Sequence, residues 1–438
     1  MNILNEFQIF NNEKYQIQTE IYVSNVTLTS PQDIKKSIDT KDEGIVIPSE
    51  SITYFSYENS IVDIIPTFTI EVLDDGFSLT QYLKAQNLRL HFKLTKHNDA
   101  LDNIWIIKDY DIINVTKDAI HYRIYCELDC AIPLNTICKY ATSCSLEGAV
   151  CENYENPYEM AKKILIQNNF QYYPLTKKDE KGNEVDTRYQ LPSCSNMIHF
   201  ITSQNQVTLD AVKYLLARGA ATVNTEPPAY LIYNIRDNKG FITTRELLFR
   251  ENNIREQPDT TQGIYSITQD FFGKQQQMTR INIYSSMGGI EFPKTFYNHQ
   301  FYNYNHQERA WTNDKVNKFN IDDLLTRGID TATEKSIFLK SGDEDLSLAK
   351  YYQYSTINSA TIYDVLKNLE LFSSNLQFMV DGNIQLDVGH VIKVQEENAK
   401  GLKSAAFEGK WLVTKIKHTF ANKLYKMDVI GSRTYYRK

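Results

Sequence analysis

The chain has 438 residues, 42% hydrophobic and 23% charged, enough for about two to four domains and too ordinary a balance for wholesale disorder. Its formal net charge of −7 excludes a broad cationic surface for stable nucleic-acid binding, and no run of about 18 apolar residues offers a helical membrane span. The 29 Tyr and 21 Phe beside only 17 Gly and 11 Pro favour strands with large contact surfaces.

The opening residues Met1-Asn2-Ile3-Leu4-Asn5-Glu6 lack a basic stretch leading into an apolar one, so the expectation is a soluble protein made in the cytoplasm, with no membrane insertion. Between Tyr15 and Thr29, Ile17, Ile21 and Val23 alternate and then shift phase to Val26 and Leu28, which predicts a bent or bulged strand. Alternation returns in Phe68, Ile70 and Val72, in Leu88, Leu90, Phe92 and Leu94, and in Ile120, Tyr122, Ile124, Cys126 and Leu128. Residues 1–130 therefore read as a small antiparallel β-barrel or sandwich.

The period then changes. Asn156-Pro157 opens a helical pattern through Met160 and Ile164, and a second helix is expected from Leu209 to Ala217 with Gly219 as its stop. Lys177 to Glu184 is a solvated loop, and Tyr230 to Phe249 is a hairpin turning at Asp237-Asn238-Lys239-Gly240. Residues 131–258 form an α+β domain on this reading. All six cysteines (Cys126, Cys138, Cys144 and Cys151 with Cys130 and Cys194) fall in one stretch. Their spacing makes no CxxC pair and Cys126 takes an apolar place in a strand, so reduced thiols are favoured over zinc or disulfides.

Strand character resumes over 264–285. The run Phe296 to His306 is rich in Tyr, Phe and Asn, and three readings stay open for it: a buried loop, a protein interface, or a sugar-stacking surface. Only Lys294 and Arg309 flank it, too few cations for stacking on nucleic acid. Tyr297, Phe301, Tyr302, Tyr304 and Trp311 are the partner-binding candidates. A helix over Thr361–Ser373 leads into a last β segment, so residues 286–354 read as an insertion dividing a module made of 259–285 and 355–438.

That last segment repeats the first in pattern. Phe92-Lys93-Leu94 closes a strand, a polar loop follows, and Trp105-Ile106-Ile107 opens a hairpin returning through Tyr122 to Cys126. Ile392-Lys393-Val394 closes a strand, a longer polar loop follows, and Trp411-Leu412-Val413 opens a hairpin returning through Tyr425 to Val429. The repeat predicts two pseudo-equivalent β modules with Trp105 and Trp411 as anchors. Aligning the two tryptophans sets Asp109 and Asp111 against Lys415 and Lys417, opposite charges at equivalent positions and candidate inter-module contacts.

Catalytic signatures are absent: there is no GxSxG, HExxH, Walker A or GxGxxG pattern, and no cofactor is expected. Asp322-Asp323 and Asp343-Glu344-Asp345 read as solvated charges rather than an acid and base pair. His299 and His306 read as polar loop or partner contacts rather than metal ligands. No catalytic or metal-binding residue is assigned.

The order Gly389-His390-Val391-Ile392-Lys393-Val394, a loop, Gly409-Lys410-Trp411-Leu412-Val413-Thr414-Lys415-Ile416-Lys417-His418-Thr419-Phe420 and a return through Tyr425-Lys426-Met427-Asp428-Val429 resembles the closing β module of baseplate hub proteins of contractile phage tails. It is also similar to the hub part of VgrG-type spike proteins. The motif covers about the last fifty residues, and the architecture extends the resemblance over nearly the whole chain. The resemblance implies a mainly β fold with α+β parts: two antiparallel β-barrel tube modules, a lateral α+β domain and an insertion. It further implies a non-enzymatic homotrimer in the tail baseplate of a virion, assembled in the host bacterial cytoplasm. Its two modules per subunit would make a pseudo-sixfold ring joining the tail tube to the central spike beside other baseplate proteins, with a channel for DNA passage. The alternative is a receptor- or carbohydrate-binding tail protein, resting on the aromatic segment.

Overall fold

The computed structural model describes residues 7–23, 44–141, 155–172, 191–219, 229–248, 374–395 and 409–433, with short breaks inside some of these ranges, and the strand segments within 264–266, 276–284, 300–305, 310–315 and 337–340. The first part of the chain forms β1 (Phe7–Phe10), β2 (Glu13–Val23), β3 (Ile45–Ile47), β4 (Ile52–Ser60), β5 (Thr67–Asp74), the short helix α1 (Leu79–Tyr82), β6 (Leu88–Lys96), β7 (Asp99–Val115) and β8 (Ile120–Leu128). Two helices follow, α2 (Pro157–Gln167) and α3 (Thr208–Gly219), then the hairpin β9 (Ala229–Asn234) and β10 (Lys239–Thr244). Beyond them lie β11 (Ile264–Ser266), β12 (Gln276–Gln277), β13 (Thr279–Tyr284), β14 (Gln300–Asn305), β15 (Ala310–Lys315) and β16 (Ile337–Lys340). The last strands are β17 (Ser374–Asp381), β18 (Val391–Gln395), β19 (Gly409–Ala421) and β20 (Leu424–Arg433). The protein is mainly β, with few helices.

Strand order shows what the repeat in the sequence means. In the first unit the hydrogen-bonded order is β6-β7-β8-β5-β4. In the second it is β18-β19-β20-β17-β13. Chain order and pairing order match strand for strand, and all four pairings in each unit are antiparallel. Trp105 stands opposite Leu90, and Trp411 stands opposite Ile392. Both central strands carry an irregularity three residues past the tryptophan, between Ile107 and Asp109 and between Val413 and Lys415. Each such bulge shifts the inward phase of the strand by one residue. The flanks differ: β2 runs antiparallel to β6, whereas β11 runs parallel to β18.

The polar stretch before Trp105 is strand rather than loop, so Trp105 lies in the middle of β7 instead of opening it. Thr95 pairs with Ala100 and Lys96 with Asp99, making β6–β7 a tight hairpin. Polar residues in this strand are held from far along the chain, as by the Arg236 contact with Asp99 at 3.1 Å. The loop between β18 and β19, the predicted helix over 361–373 and the predicted phase shift at Val26 lie outside the described residues.

Asn156 starts α2 by accepting from the N–H groups of Tyr158 at 2.8 Å and Glu159 at 3.3 Å, with Pro157 in the first turn. Its buried residues Tyr158, Met160, Ala161, Ile164 and Leu165 belong to the same core cluster as Ala211, Val212, Leu215 and Leu216 of α3. The hairpin β9–β10 is buried on both faces, which explains the unbroken apolar run Tyr230-Leu231-Ile232-Tyr233. Leu231 and Tyr233 join the core of the first unit, while Tyr230 and Ile232 join that of the second. The hairpin is a wedge between two cores.

Candidate functional site

With no catalytic constellation to follow, the candidate site is the seam where one unit meets the other, because pseudo-equivalent units must recognise each other there. Strand β4 of the first unit pairs antiparallel with the C-terminal half of β19 of the second, from Lys415 opposite Ser60 to Ala421 opposite Tyr54. Past the bulge, Ile416, His418 and Phe420 alternate inward. Phe420 stacks on Phe55 with ring centres 5.2 Å apart, and His418 lies flat on Tyr57 at 4.2 Å. His418 Nδ1 and the Tyr425 hydroxyl share a hydrogen bond of 2.8 Å, and the Tyr57 and Tyr425 hydroxyls share one of 3.3 Å. Tyr15 of β2 meets the edge of Tyr425 at 5.3 Å.

Burial dominates the electrostatics of this cluster. It pushes the His418 imidazole down to about 3, opposed by the Leu386 backbone, so the ring is neutral. It raises the Tyr57 hydroxyl well above its ordinary value, with the Tyr425 contact adding to the rise. On the solvent side of the same seam Lys415 forms an ion pair with Glu58, and Lys417 stands opposite Glu58 in register.

A buried carboxylate ties three parts of the chain together beside the seam. Asp387 accepts from Asn59 Nδ2 of β4 at 2.7 Å, from the Ile235 N–H after β9 at 2.7 Å, and from the Val388 N–H at 2.8 Å. Asn59 Nδ2 also reaches the Tyr233 carbonyl at 2.8 Å. Burial lifts Asp387 to about 6, against the downward pull of the Asn59, Val388 and Ile235 hydrogen bonds. Gly389 follows at φ +80°, and a Cβ there would meet Ile232 Cδ1 at 3.0 Å. Glycine is needed both for the turn and for the close approach of the wedge hairpin.

The equivalent half of β7 has no such neighbour among the described residues. Strand β6 covers its edge only as far as Ile106, and beyond that point β7 pairs, among the described residues, with β8 alone. Ile112 is 52% exposed, Ile113 41% and Val115 62%. Asp109 and Asp111 stand on this open half, at the positions that Lys415 and Lys417 take in the covered half of β19. Asp111 accepts from the Tyr125 hydroxyl at 2.9 Å.

Trp105 and Trp411 are both fully buried and lie in separate core clusters, Trp105 stacked on Phe68 at 5.0 Å. Of the aromatic segment, Phe301, Tyr302 and Tyr304 lie on β14 and Trp311 on β15, in a separate three-stranded sheet with Tyr304 opposite Trp311. Only Gln300–Asn305 of the segment is described, as strand β14, and Tyr297 lies outside the described residues. So do His299, His306, Asp322, Asp323 and the acidic run at 343–345. Cys126 and Cys138 are buried, and burial pushes both thiols up, away from the thiolate form that binds metals. His418, Asn59 and Asp387 were missed as seam residues. For His418 the signal was present, since Ile416, His418 and Phe420 continue one alternating face.

No family model matches the chain, and no curated protein matches it. Solved structures similar to it include the tail protein from Neisseria meningitidis MC58, with TM-score 0.48 and 8% identity over 95% of this chain and 96% of that one. Another is the 43 kDa tail protein of prophage MuSo2 from Shewanella oneidensis, with TM-score 0.46 and 10% identity over 90% and 94%. A chain of a Francisella PdpA–VgrG complex gives TM-score 0.48 and 11% identity over 99% of this chain and 60% of that one. These structures are thus of tail proteins and of a PdpA–VgrG complex.

Proposed function

We infer that the chain is a non-enzymatic structural hub of a bacteriophage tail baseplate or a related injection device. On this reading it is a homotrimer whose two β units per subunit alternate in a pseudo-sixfold ring, with a sixfold tail tube on one side and a threefold spike on the other. The ring leaves a channel for DNA, and the protein belongs to the virion tail after assembly in the host cytoplasm. The observation that carries the reading is the doubled strand order, β6-β7-β8-β5-β4 and β18-β19-β20-β17-β13, with the two copies joined edge to edge in one sheet. A threefold assembly that presents six similar surfaces needs such a duplication, whereas a receptor-binding protein or a cell-wall hydrolase does not. Among the described residues no helix is long and apolar enough to cross a membrane. Native mass measurement of the purified protein, alone and with tail-tube and spike proteins, tests the reading. A trimer that binds both supports it, and a monomer that binds neither overturns it.

A further inference from the structure

The seam inside the chain specifies a second seam between chains. Each unit ends at the same two places: the edge of its first strand, β4 or β13, and the distal edge of its central strand, β7 or β19. Within the chain β4 is joined to distal β19, which consumes one edge of each kind. Two edges are left over, distal β7 and β13, and among the described residues β13 pairs only with β17. We propose that distal β7 of one copy pairs antiparallel with β13 of the next, repeating the internal seam. The proposal rests on the hub reading and adds to it the strands and the register.

The register follows row by row across the sheet. Ile107, Cys126, Phe68 and Tyr57 form one row of the first unit, and Val413, Gly431, Leu376 and Ile283 form the matching row of the second. Ile283 therefore holds the place of Tyr57, and Tyr284 that of Glu58. In the internal seam Tyr57 is opposite His418 and Glu58 opposite Lys417. Carried over, Ile112 of one copy stands opposite Ile283 of the next, and Asp111 stands opposite Tyr284.

Chemistry selects β13 over the other first strand. If β4 of a second copy docked on β7, Asp111 would face Glu58, and like charges directly opposite each other are destabilising. Tyrosine at position 284 removes that repulsion, while the lysines of β19 suit Glu58 within the chain. The edge is also apolar where it is open: Ile112 and Val115 are more than half exposed on an edge that no strand covers among the described residues, the usual template for strand addition.

The test is a pair of variants that each add one cysteine to the six native ones, Ile112→Cys and Ile283→Cys, one carrying a size tag, co-expressed and oxidised beside the wild-type protein as background control. Residues directly opposite in an antiparallel pair are near enough for a disulfide. The expected result is a cross-link between tagged and untagged chains that neither variant forms alone. The pair Asp111→Cys with Tyr284→Cys, one register step away, is read in parallel if Ile283→Cys fails to fold. A trimer without the mixed cross-link in either pair overturns the strand pairing and leaves the hub reading standing. Cross-linking by Ile112→Cys alone also overturns it, since β7 would then pair with itself. A chain that stays monomeric and forms no cross-link overturns both.

Discussion

Replacing His418 with Phe should change how stability depends on pH while keeping the stack on Tyr57. The buried imidazole titrates at about 3, while an unfolded chain's histidine titrates near 6.5. Its depressed value means that stability is fully present above about pH 6.5 and drains away as pH falls, because only the unfolded state takes up the proton. Between pH 7 and pH 5 that loss is about 2 kcal/mol. Asp387 works in the opposite sense: burial lifts its carboxyl to about 6 in the fold against an ordinary value near 3.9, so acidification over the same interval stabilises the fold by about 1 kcal/mol. In the wild type the two therefore act against each other. His418→Phe should therefore become more stable relative to wild type by about 2 kcal/mol on going from pH 7 to pH 5, whatever constant cost the lost Tyr425 hydrogen bond brings. Urea unfolding at one protein concentration, at both pH values and on both proteins, measures this difference of differences, from which every other titrating group cancels. Parallel pH dependences, within about 0.5 kcal/mol, would show that His418 takes up its proton in the folded state and that the seam is wet.

Trp105→Ala and Trp411→Ala should each cost about 3 to 5 kcal/mol through lost burial and a residual cavity, read from denaturant midpoints; a cost below about 1 kcal/mol at either would contradict its anchoring role. Gly389→Ala should destabilise by about 1 to 3 kcal/mol, because it strains a left-handed residue and presses on Ile232, and a neutral result would show that the turn relaxes freely. Lys415→Glu with Lys417→Glu sets like charges around Glu58 and should lower chain stability at low salt by about 1 kcal/mol, with recovery as salt is added. A loss that salt does not screen would point to packing instead of charge. Deleting residues 296–306 should leave both units folded by near-ultraviolet circular dichroism but weaken binding to a neighbouring tail protein, and unimpaired binding would argue for the buried-loop or sugar-binding reading.

Parts of this architecture were legible because a single physical rule controlled them. Asn156-Pro157 specified a helix start through one side-chain cap, and alternation around Ile70, Leu90 and Ile124 specified half-buried strands. Trp105 and Trp411 are each a large buried side chain opposite an aliphatic residue, Leu90 and Ile392. The stretch from Thr95 to Ile104 was misread as loop because Asp99, Asp102 and Asn103 look solvated in sequence. Their partners lie off the strand itself: Arg236 reaches Asp99 from far along the chain, and His91 takes Asp102 at 2.7 Å across the hairpin. Asp387 was unreadable for the same reason, since Asn59 and Ile235 lie 328 and 152 residues from it. Local pattern cannot report a polar group that a distant segment satisfies.

The duplicated unit also explains why one chain can carry a seam that is closed on one side and open on the other. In the second unit β18 is short and covers β19 only from Gly409 to Leu412, and the bulge at Lys415 turns the rest of the strand toward β4. In the first unit β6 is longer, but it too stops short of the equivalent bulge, at Ile106. The flanking strands therefore leave the same half of each central strand uncovered, and among the described residues the chain delivers an internal partner to β19 and none to β7. A contact between distal β7 and β13 is heterologous, so repeated addition must either close into a ring or grow without limit. Closure is favoured if the external seam reproduces the rotation of the internal one, because each step round the ring is then equal. Buried, well-packed contacts such as Phe55 on Phe420 and Tyr57 on His418 hold the internal rotation to one value, and a wet or loosely packed seam would not. On the proposed pairing, the packing of that aromatic seam is thus the property on which the size of such a ring would depend.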